Sequence, residues 1–344
     1  MEPAIKPKIC VLFCGGTIVM KKSATGALDI TESALGDLLA LEPRLKENFE
    51  LSEVFINNID STNMTPSVWD DVAIAVKENY AKYDGFVVCH GTNTMGYTSA
   101  ALSFALLGIG KPVVLTGAQI PLSEPESDAR RNFVNAVKIA AMDLSGVFVV
   151  FGSKIIRGSR AKKVSEYEID AFKTFSGEDV GEIGITIKLK GQFTRRHSNP
   201  FNVKTGFEAN ILVLTLEPGI NAPFLEQLLE LGAQGFVLRA YGAGDIPYTL
   251  DAFLEKAHEK QVPILVTTQC PQGATQLGIN DVGLQAKKRG VIEVFDMSME
   301  AMTTKLRWLL SRNTPYSELK EKIQTDLVGE VAPPLTYPLG AAKC

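Results

Sequence analysis

The sequence is poor in the residues that most enzymes use for metal, cofactor or histidine chemistry. It has three histidines, His90, His197 and His258, and five cysteines, Cys10, Cys14, Cys89, Cys270 and Cys344. They form no H-E-x-x-H and no C-x-x-C, so no zinc site is expected. A phosphate-cradling G-x-x-x-x-G-K-[ST] is missing, and Gly242-Ala243-Gly244 lacks the third glycine of a dinucleotide fingerprint. There is no G-x-S-x-G elbow. No metal or cofactor is therefore called for. No apolar run approaches the ~20 residues of a membrane span. Met1-Glu2-Pro3-Ala4 and the six apolar residues Ile9 to Cys14 do not make a signal peptide. Thirty-five Lys and Arg against 39 Asp and Glu give a net charge of −4, which argues against a nucleic-acid surface. The basic runs Arg157–Lys163 and Arg195-Arg196-His197 read as solvated loops. An odd number of cysteines without metal spacing fits a reduced, cytoplasmic protein. No repeat of solenoid period is present.

What the chain does have is apolar content for a sizeable core, 45% hydrophobic over 344 residues, a length that favours two domains. The first half alternates apolar strands (Ile9–Phe13, Phe86–Cys89, Pro112–Thr116, Val147–Phe151) with helical segments (Pro66–Ala81, Met95–Leu107, and Asp128–Met142 with Asp128 as its cap). Such βα repeats predict a doubly wound parallel sheet covered on both faces. A polar stretch follows, containing a β-rich piece at Gly184–Leu189. A second, smaller α/β unit has strands Ile211–Leu216, Gly235–Leu238 and Pro263–Thr267. Its helices are Ala222–Leu231, Leu250–Lys260 and Met299–Leu310. The expected organisation is a large N-terminal domain over 1–190, a connection over 191–209, a C-terminal α/β domain over 210–330 and an extended tail over 331–344.

Two strand-to-turn junctions present threonine among glycines: Cys14-Gly15-Gly16-Thr17 and His90-Gly91-Thr92-Asn93-Thr94. In open α/β sheets ligands bind at the carboxyl ends of strands, so Thr17 and Thr92 are candidate nucleophiles. A threonine hydroxyl needs a base. Without a suited histidine, a desolvated lysine is the obvious candidate, because burial lowers its pKa; Lys162-Lys163 is available, but a lone lysine pair is usually solvated and spacing alone does not promote it. His90, beside Gly91, reads as a structural imidazole bonded to backbone. Cys14 reads as a small residue at a tight turn.

Together with Asp60-Ser61-Thr62-Asn63-Met64, Thr116-Gly117-Ala118-Gln119, Arg157-Gly158-Ser159-Arg160, Leu238-Arg239-Ala240-Tyr241-Gly242 and Thr268-Gln269-Cys270, these motifs resemble the bacterial-type L-asparaginases, closest to the cytoplasmic type I branch. The resemblance runs from about residue 8 to 325. It implies an amidohydrolase that converts L-asparagine to L-aspartate and ammonia through a threonine ester, in a homodimer or homotetramer with active sites between subunits. It further implies that Thr17, on a lid, is the first threonine and that Thr92 is the second, activated by Lys163. Asp60, Ser61, Thr62, Asn93 and Asp245 would bind substrate, and backbone amides at the glycine turns would stabilise the oxyanion, a contribution of about 3–4 kcal/mol.

Three positions depart from the family. Asn93 stands where the family has an aspartate that pairs with the substrate's ammonium, which removes charge assistance. Asp245 stands where the family has an asparagine reaching the neighbouring site. One reading is an Asp–Asn exchange across the interface; the other is two unrelated changes on polar loops. The lid has Gly26-Ala27 where relatives carry a tyrosine, which shifts weight to Thr92 with Lys163. Arg239, Cys270 and Lys162 resemble an allosteric asparagine pocket, with lysine replacing threonine at the third position. Two other readings are the amidase component of a tRNA-dependent amidotransferase, which carries an extra N-terminal barrel, and an impaired homologue that binds an amino acid or scaffolds a partner.

Overall fold

The computed structural model describes residues 5–16, 18, 20–22, 28–30 and 34–332. Thr17, Ala27 and the tail beyond Ala332 lie outside them. The chain divides into two compact units, residues 1–206 and 207–344.

The first unit runs β1 (Lys8–Phe13), β2 (Met20–Lys22), β3 (Leu28–Ile30), α1 (Ala34–Leu41), α2 (Leu45–Asn48), β4 (Glu50–Phe55), α3 (Pro66–Asn79), β5 (Gly85–Cys89), α4 (Met95–Ala105), β6 (Pro112–Thr116), α5 (Ala129–Ala140) and β7 (Gly146–Phe151). It continues with β8 (Lys154–Arg157), β9 (Ala161–Lys163), β10 (Phe172–Thr174), β11 (Gly181–Ile183) and β12 (Ile187–Leu189). Eight strands form one sheet in the order β12-β11-β8-β7-β6-β5-β1-β4. From β4 to β7 the pairing is parallel, and from β7 outward it is antiparallel.

Taken in chain order, the five parallel strands lie 2-1-3-4-5, the doubly wound arrangement whose crevice opens beyond the carboxyl ends of the first and third. Here those are β1 and β5. Both are wholly apolar and buried, apart from Lys8. Ile9, Val11, Phe13, Val87, Cys89, Val114, Phe148 and Val150 share a core with α1 and α5. The alternate residues point to the other face, where α4 packs on β6 and β7.

The expected helix over Asp128–Met142 is α5, but its cap is not as anticipated. The Asp128 side chain caps none of the helix's first backbone N–H groups. Its carboxylate instead accepts from the backbone N–H of Gln119 at 3.0 Å and of Ile120 at 3.0 Å, and from Asn132 Nδ2 at 2.9 Å. The chain after β12 is fastened to this unit: Thr194 O accepts from Ser145 N, Arg196 donates to Met142 O and Ala140 O, His197 N donates to Gly110 O, and Lys204 N to Ala105 O.

The second unit has β13 (Ile211–Thr215), α6 (Ala222–Glu230), β14 (Gly235–Ala240), α7 (Asp251–Glu259), β15 (Ile264–Thr268), α8 (Asp281–Lys288), β16 (Ile292–Glu293), α9 (Met299–Leu310) and α10 (Tyr316–Gln324). Its four strands form a parallel sheet in sequence order. Phe236, Leu238, Leu254, Ile264 and Val266 lie in its core. Glu330, just before the end of the described chain, is fully buried against the equally buried ammonium of Lys305, 2.5 Å away. The fold is therefore mixed α/β, with a large parallel-rich sheet followed by a smaller α/β unit.

Candidate active site

Three turns meet at the β1–β5 crevice. Gly15 and Gly16 follow β1 with φ of +103° and +91°, values that disfavour any side chain. A Cβ on Gly16 would lie 2.3 Å from Gly91 N, and a Cβ on Gly91 would lie 2.5 Å from Ser61 Oγ. Bare backbone is what lets the turns after β1 and β5 and the short 3₁₀ turn Ser61–Asn63 pack together. The last is shaped by Asp60, whose carboxylate accepts from Thr62 N at 2.8 Å. That bond is the main cause holding the Asp60 carboxyl below its ordinary value. The turn is also tied to the β5 turn, because Thr94 Oγ1 donates to Ser61 O at 2.7 Å.

His90 is sealed beneath this surface. The Gly91 carbonyl can only accept, so Nδ1, 2.7 Å away, carries the ring proton. Nε2 then accepts from Thr98 Oγ1 at 2.9 Å, and Thr98 Oγ1 accepts from Trp69 Nε1 at 3.0 Å. Burial lowers its pKa to about 4. His90 is a neutral structural imidazole, spoken for on both nitrogens. Cys14 is likewise buried, and its thiol is pushed up to about 12, so it is not a nucleophile near neutrality.

Lys163 reaches the crevice from β9. Adjacent strand residues face opposite ways, and Lys162 and Lys163 do so: the Lys162 ammonium sits 5.3 Å from the Phe175 ring centroid, whereas Lys163 Nζ lies 2.9 Å from Thr92 Oγ1 and 3.0 Å from Asn93 Oδ1. Asn93 Nδ2 in turn donates to Thr62 Oγ1 at 3.2 Å. Desolvation is the main influence on Lys163 and lowers its pKa; the nearby Glu166 charge opposes it. A hydroxyl with a half-buried amine at hydrogen-bond distance can lose its proton to that amine.

The structure thus brings Asp60, Ser61, Thr62, Thr92, Asn93 and Lys163 into one crevice. Sequence reasoning did not assign a role to Gln119, at the end of β6. Its Oε1 accepts from Thr92 Oγ1 at 3.1 Å, and its Nε2 donates to Glu166 O at 3.1 Å and Glu168 O at 3.2 Å. The advance signals were its place in the glycine-containing turn after the next strand and in the motif Thr116-Gly117-Ala118-Gln119.

Asp245, Arg239 and Cys270 belong to the second unit. Asp245 closes a tight turn with Tyr241 through paired backbone bonds, and its Oδ1 accepts from Asn280 Nδ2 at 2.9 Å. Arg239, one residue before the end of β14, donates to Thr215 Oγ1 at 3.4 Å; Cys270 is exposed just beyond β15.

A threonine–lysine pair thus lies at the switch point of a doubly wound sheet. Comparison with known proteins names the class. Residues 8–195 match the model of the asparaginase N-terminal domain, and residues 210–322 match the glutaminase/asparaginase C-terminal domain. L-asparaginase 1 of Escherichia coli K12 is 35% identical over 337 residues, covering 95% of this chain and 99% of that protein. The solved structure of the thermostable L-asparaginase from Thermococcus kodakarensis superposes with a TM-score of 0.88 at 32% identity, covering 94% of this chain and 99% of that one. L-asparaginase I from Vibrio cholerae, also a solved structure, superposes with a TM-score of 0.87 at 34% identity, covering 95% of this chain and 100% of that one. The chain belongs to the asparaginase family and is an asparaginase-like amidohydrolase. A component of the glutamyl-tRNA(Gln) amidotransferase from Thermococcus kodakarensis is 31% identical, covering 95% of this chain but 77% of that protein. No helix among the described residues is long and apolar enough to cross a membrane.

Proposed function

We propose that this protein hydrolyses the side-chain amide of L-asparagine to L-aspartate and ammonia through a threonine ester. The observation that carries this reading is the 2.9 Å approach of Lys163 Nζ to Thr92 Oγ1, with the lysine desolvated. In its neutral form Lys163 takes a threonine proton as the hydroxyl oxygen bonds to the amide carbon. The C–N bond then breaks, and the departing nitrogen takes a proton and leaves as ammonia. Water cleaves the ester and restores the threonine hydroxyl. Thr92 and Lys163 form the described part of the machinery; we assign Thr17, which follows Gly15-Gly16 in the sequence, the role of the first threonine. Ser61, Thr62 and Asp60 would hold the substrate's α-carboxylate and neighbouring groups.

Asn93 cannot supply a negative charge for the substrate's ammonium. We propose that Asp245 from a second copy of the chain supplies it, in a homodimer or homotetramer with shared sites. Its second carboxylate oxygen carries no hydrogen bond among the described residues. Free thiols at Cys10, Cys14, Cys89 and Cys270 fit the cytoplasm as the site of action. Arg239 and Cys270 are proposed as part of a regulatory asparagine pocket, which a sigmoidal rate curve would support and a hyperbolic one would exclude.

The test is ammonia release from L-asparagine, L-glutamine and succinamic acid, which lacks the α-amino group. Turnover of L-asparagine well above both others supports the proposal. Preference for succinamic acid would mean the ammonium is not recognised, preference for L-glutamine would reassign the substrate, and no release from any would leave an amino-acid-binding homologue. Asn93→Asp and Asp245→Asn, alone and combined, test the exchange: purely additive losses in kcat/KM contradict it.

A further inference from the structure

Gln119 makes contacts that fix both the direction of its own side chain and the direction of the Thr92 proton. Its Nε2 faces the carbonyl oxygens of Glu166 and Glu168, which can only accept. Turning the amide over would press Oε1 against two carbonyls, so the orientation is set by chemistry. Oε1 therefore faces Thr92 and can only accept, and the Thr92 hydroxyl must donate to it at 3.1 Å. With its proton committed, Thr92 Oγ1 turns a lone pair toward Lys163 Nζ.

The root of this side chain is equally fixed. Asp128, 5% exposed, accepts from Gln119 N through both carboxylate oxygens, at 3.0 and 3.2 Å, and from Ile120 N. Asn132, fully buried, donates to Asp128 and to Gly117 O at 2.9 Å each and accepts from Gly152 N. Gln119 is thus a short arm on a buried polar anchor, reaching from the end of β6 to the end of β5 and to the segment after β9. That segment carries Glu166, whose charge acts on Lys163.

We propose that Gln119 is a positioning residue for the amide hydrolysis: it holds the Thr92 hydroxyl in its resting orientation beside Lys163 and clamps residues 166–168 in register with it. The proposal rests on the amidohydrolase reading above for its catalytic half. On this view the resting site is one hydroxyl rotation from reaction. The Thr92 proton swings from Gln119 Oε1 to a neutral Lys163 without any movement of heavy atoms, the preorganisation that a misplacement of even 1 Å would lose. The charged side chains around the arm are Asp128 at its base and Lys163 across Thr92, with the Glu166 charge acting on Lys163; Glu166 and Glu168 meet Gln119 through their backbone carbonyls.

Two variants test it. Gln119→Met keeps the length of the side chain and removes every side-chain hydrogen bond. It should lower kcat at least about tenfold while KM stays within about twofold, and amide hydrogen exchange over residues 164–168 should quicken. Gln119→Glu presents a carboxylate to two carbonyls when ionised, yet a protonated acid can accept from Thr92 and donate to one of them. Its kcat, taken as a ratio to wild type, should therefore rise as the pH is lowered through the carboxylate range. Wild-type kcat in Gln119→Met, or a flat or falling ratio for Gln119→Glu, would overturn the catalytic half. Unchanged exchange over 164–168 would overturn the clamp. If the wild-type protein releases no ammonia from any amide, the amidohydrolase reading falls, while the exchange experiment still decides whether Gln119 clamps the segment.

Discussion

Gly16 and Gly91 touch backbone to backbone: a Cβ on Gly16 would fall 2.3 Å from Gly91 N and 2.5 Å from Gly91 Cα. The turns that follow β1 and β5 are therefore one packed unit, and neither glycine is there for flexibility alone. Gly16→Ala adds a side chain at φ +91° against rigid backbone. It should cost about 2–4 kcal/mol of stability through strain and overpacking. Gly91→Ala meets Ser61 Oγ at 2.5 Å and Ser61 Cβ at 2.8 Å; turning the hydroxyl relieves only the first, so this variant should also lose stability and, by displacing Ser61, raise KM. Thermal unfolding and steady-state kinetics on both variants check this.

Asn93 accepts from Lys163 Nζ without neutralising it. An aspartate there would place a carboxylate about 3 Å from the ammonium and favour the charged lysine. Lys163, whose pKa burial now lowers, would then hold its proton to higher pH. The acidic limb of the kcat profile for Asn93→Asp should move to higher pH, whatever the variant does to KM. A limb that stays in place, or moves down, would mean that Lys163 is not the group whose deprotonation starts the reaction.

The fold's framework could be read in advance because each central strand is a continuous apolar run that ends in a glycine turn. Thr92 and its neighbours were visible for the same reason. Strand β4 was not: Glu50–Phe55 is an edge strand, charged and largely exposed or half-buried, with no apolar run to mark it. Asp128 stood at the start of α5 as a cap would, but the turn at Gln119 and Ile120 offered its carboxylate better donors. The Lys162-Lys163 pair looks like two solvated charges until strand alternation sends one to Phe175 and the other to Thr92. Gln119 stood in a recognised motif, Thr116-Gly117-Ala118-Gln119, but nothing in that motif gave it a role. Its meaning depends on three chain segments, more than 70 residues apart at the extremes, arriving at one hydroxyl.

His90 couples the site's floor to pH. In the folded chain its pKa is about 4, against an ordinary value of 6.5. Between those values the unfolded chain binds a proton that the folded chain does not, so stability rises with pH across the window and is fully present above about 6.5. As the pH falls to about 4, the loss from this group is on the order of 3 kcal/mol. Denaturant unfolding of the wild type and of His90→Gln at several pH values should show the slope in the first and a flatter line in the second. Equal slopes would mean that His90 is not held neutral.

The most direct test of the threonine–lysine assignment is steady-state ammonia release from L-asparagine by Lys163→Met beside the wild-type protein. A general base is worth about 10²–10⁴ in rate. The expected result is a kcat at least about 100-fold lower in the variant, with near-wild-type unfolding behaviour. A folded Lys163→Met that turns over L-asparagine at the wild-type rate would show that the amine 2.9 Å from Thr92 Oγ1 takes no part in the reaction.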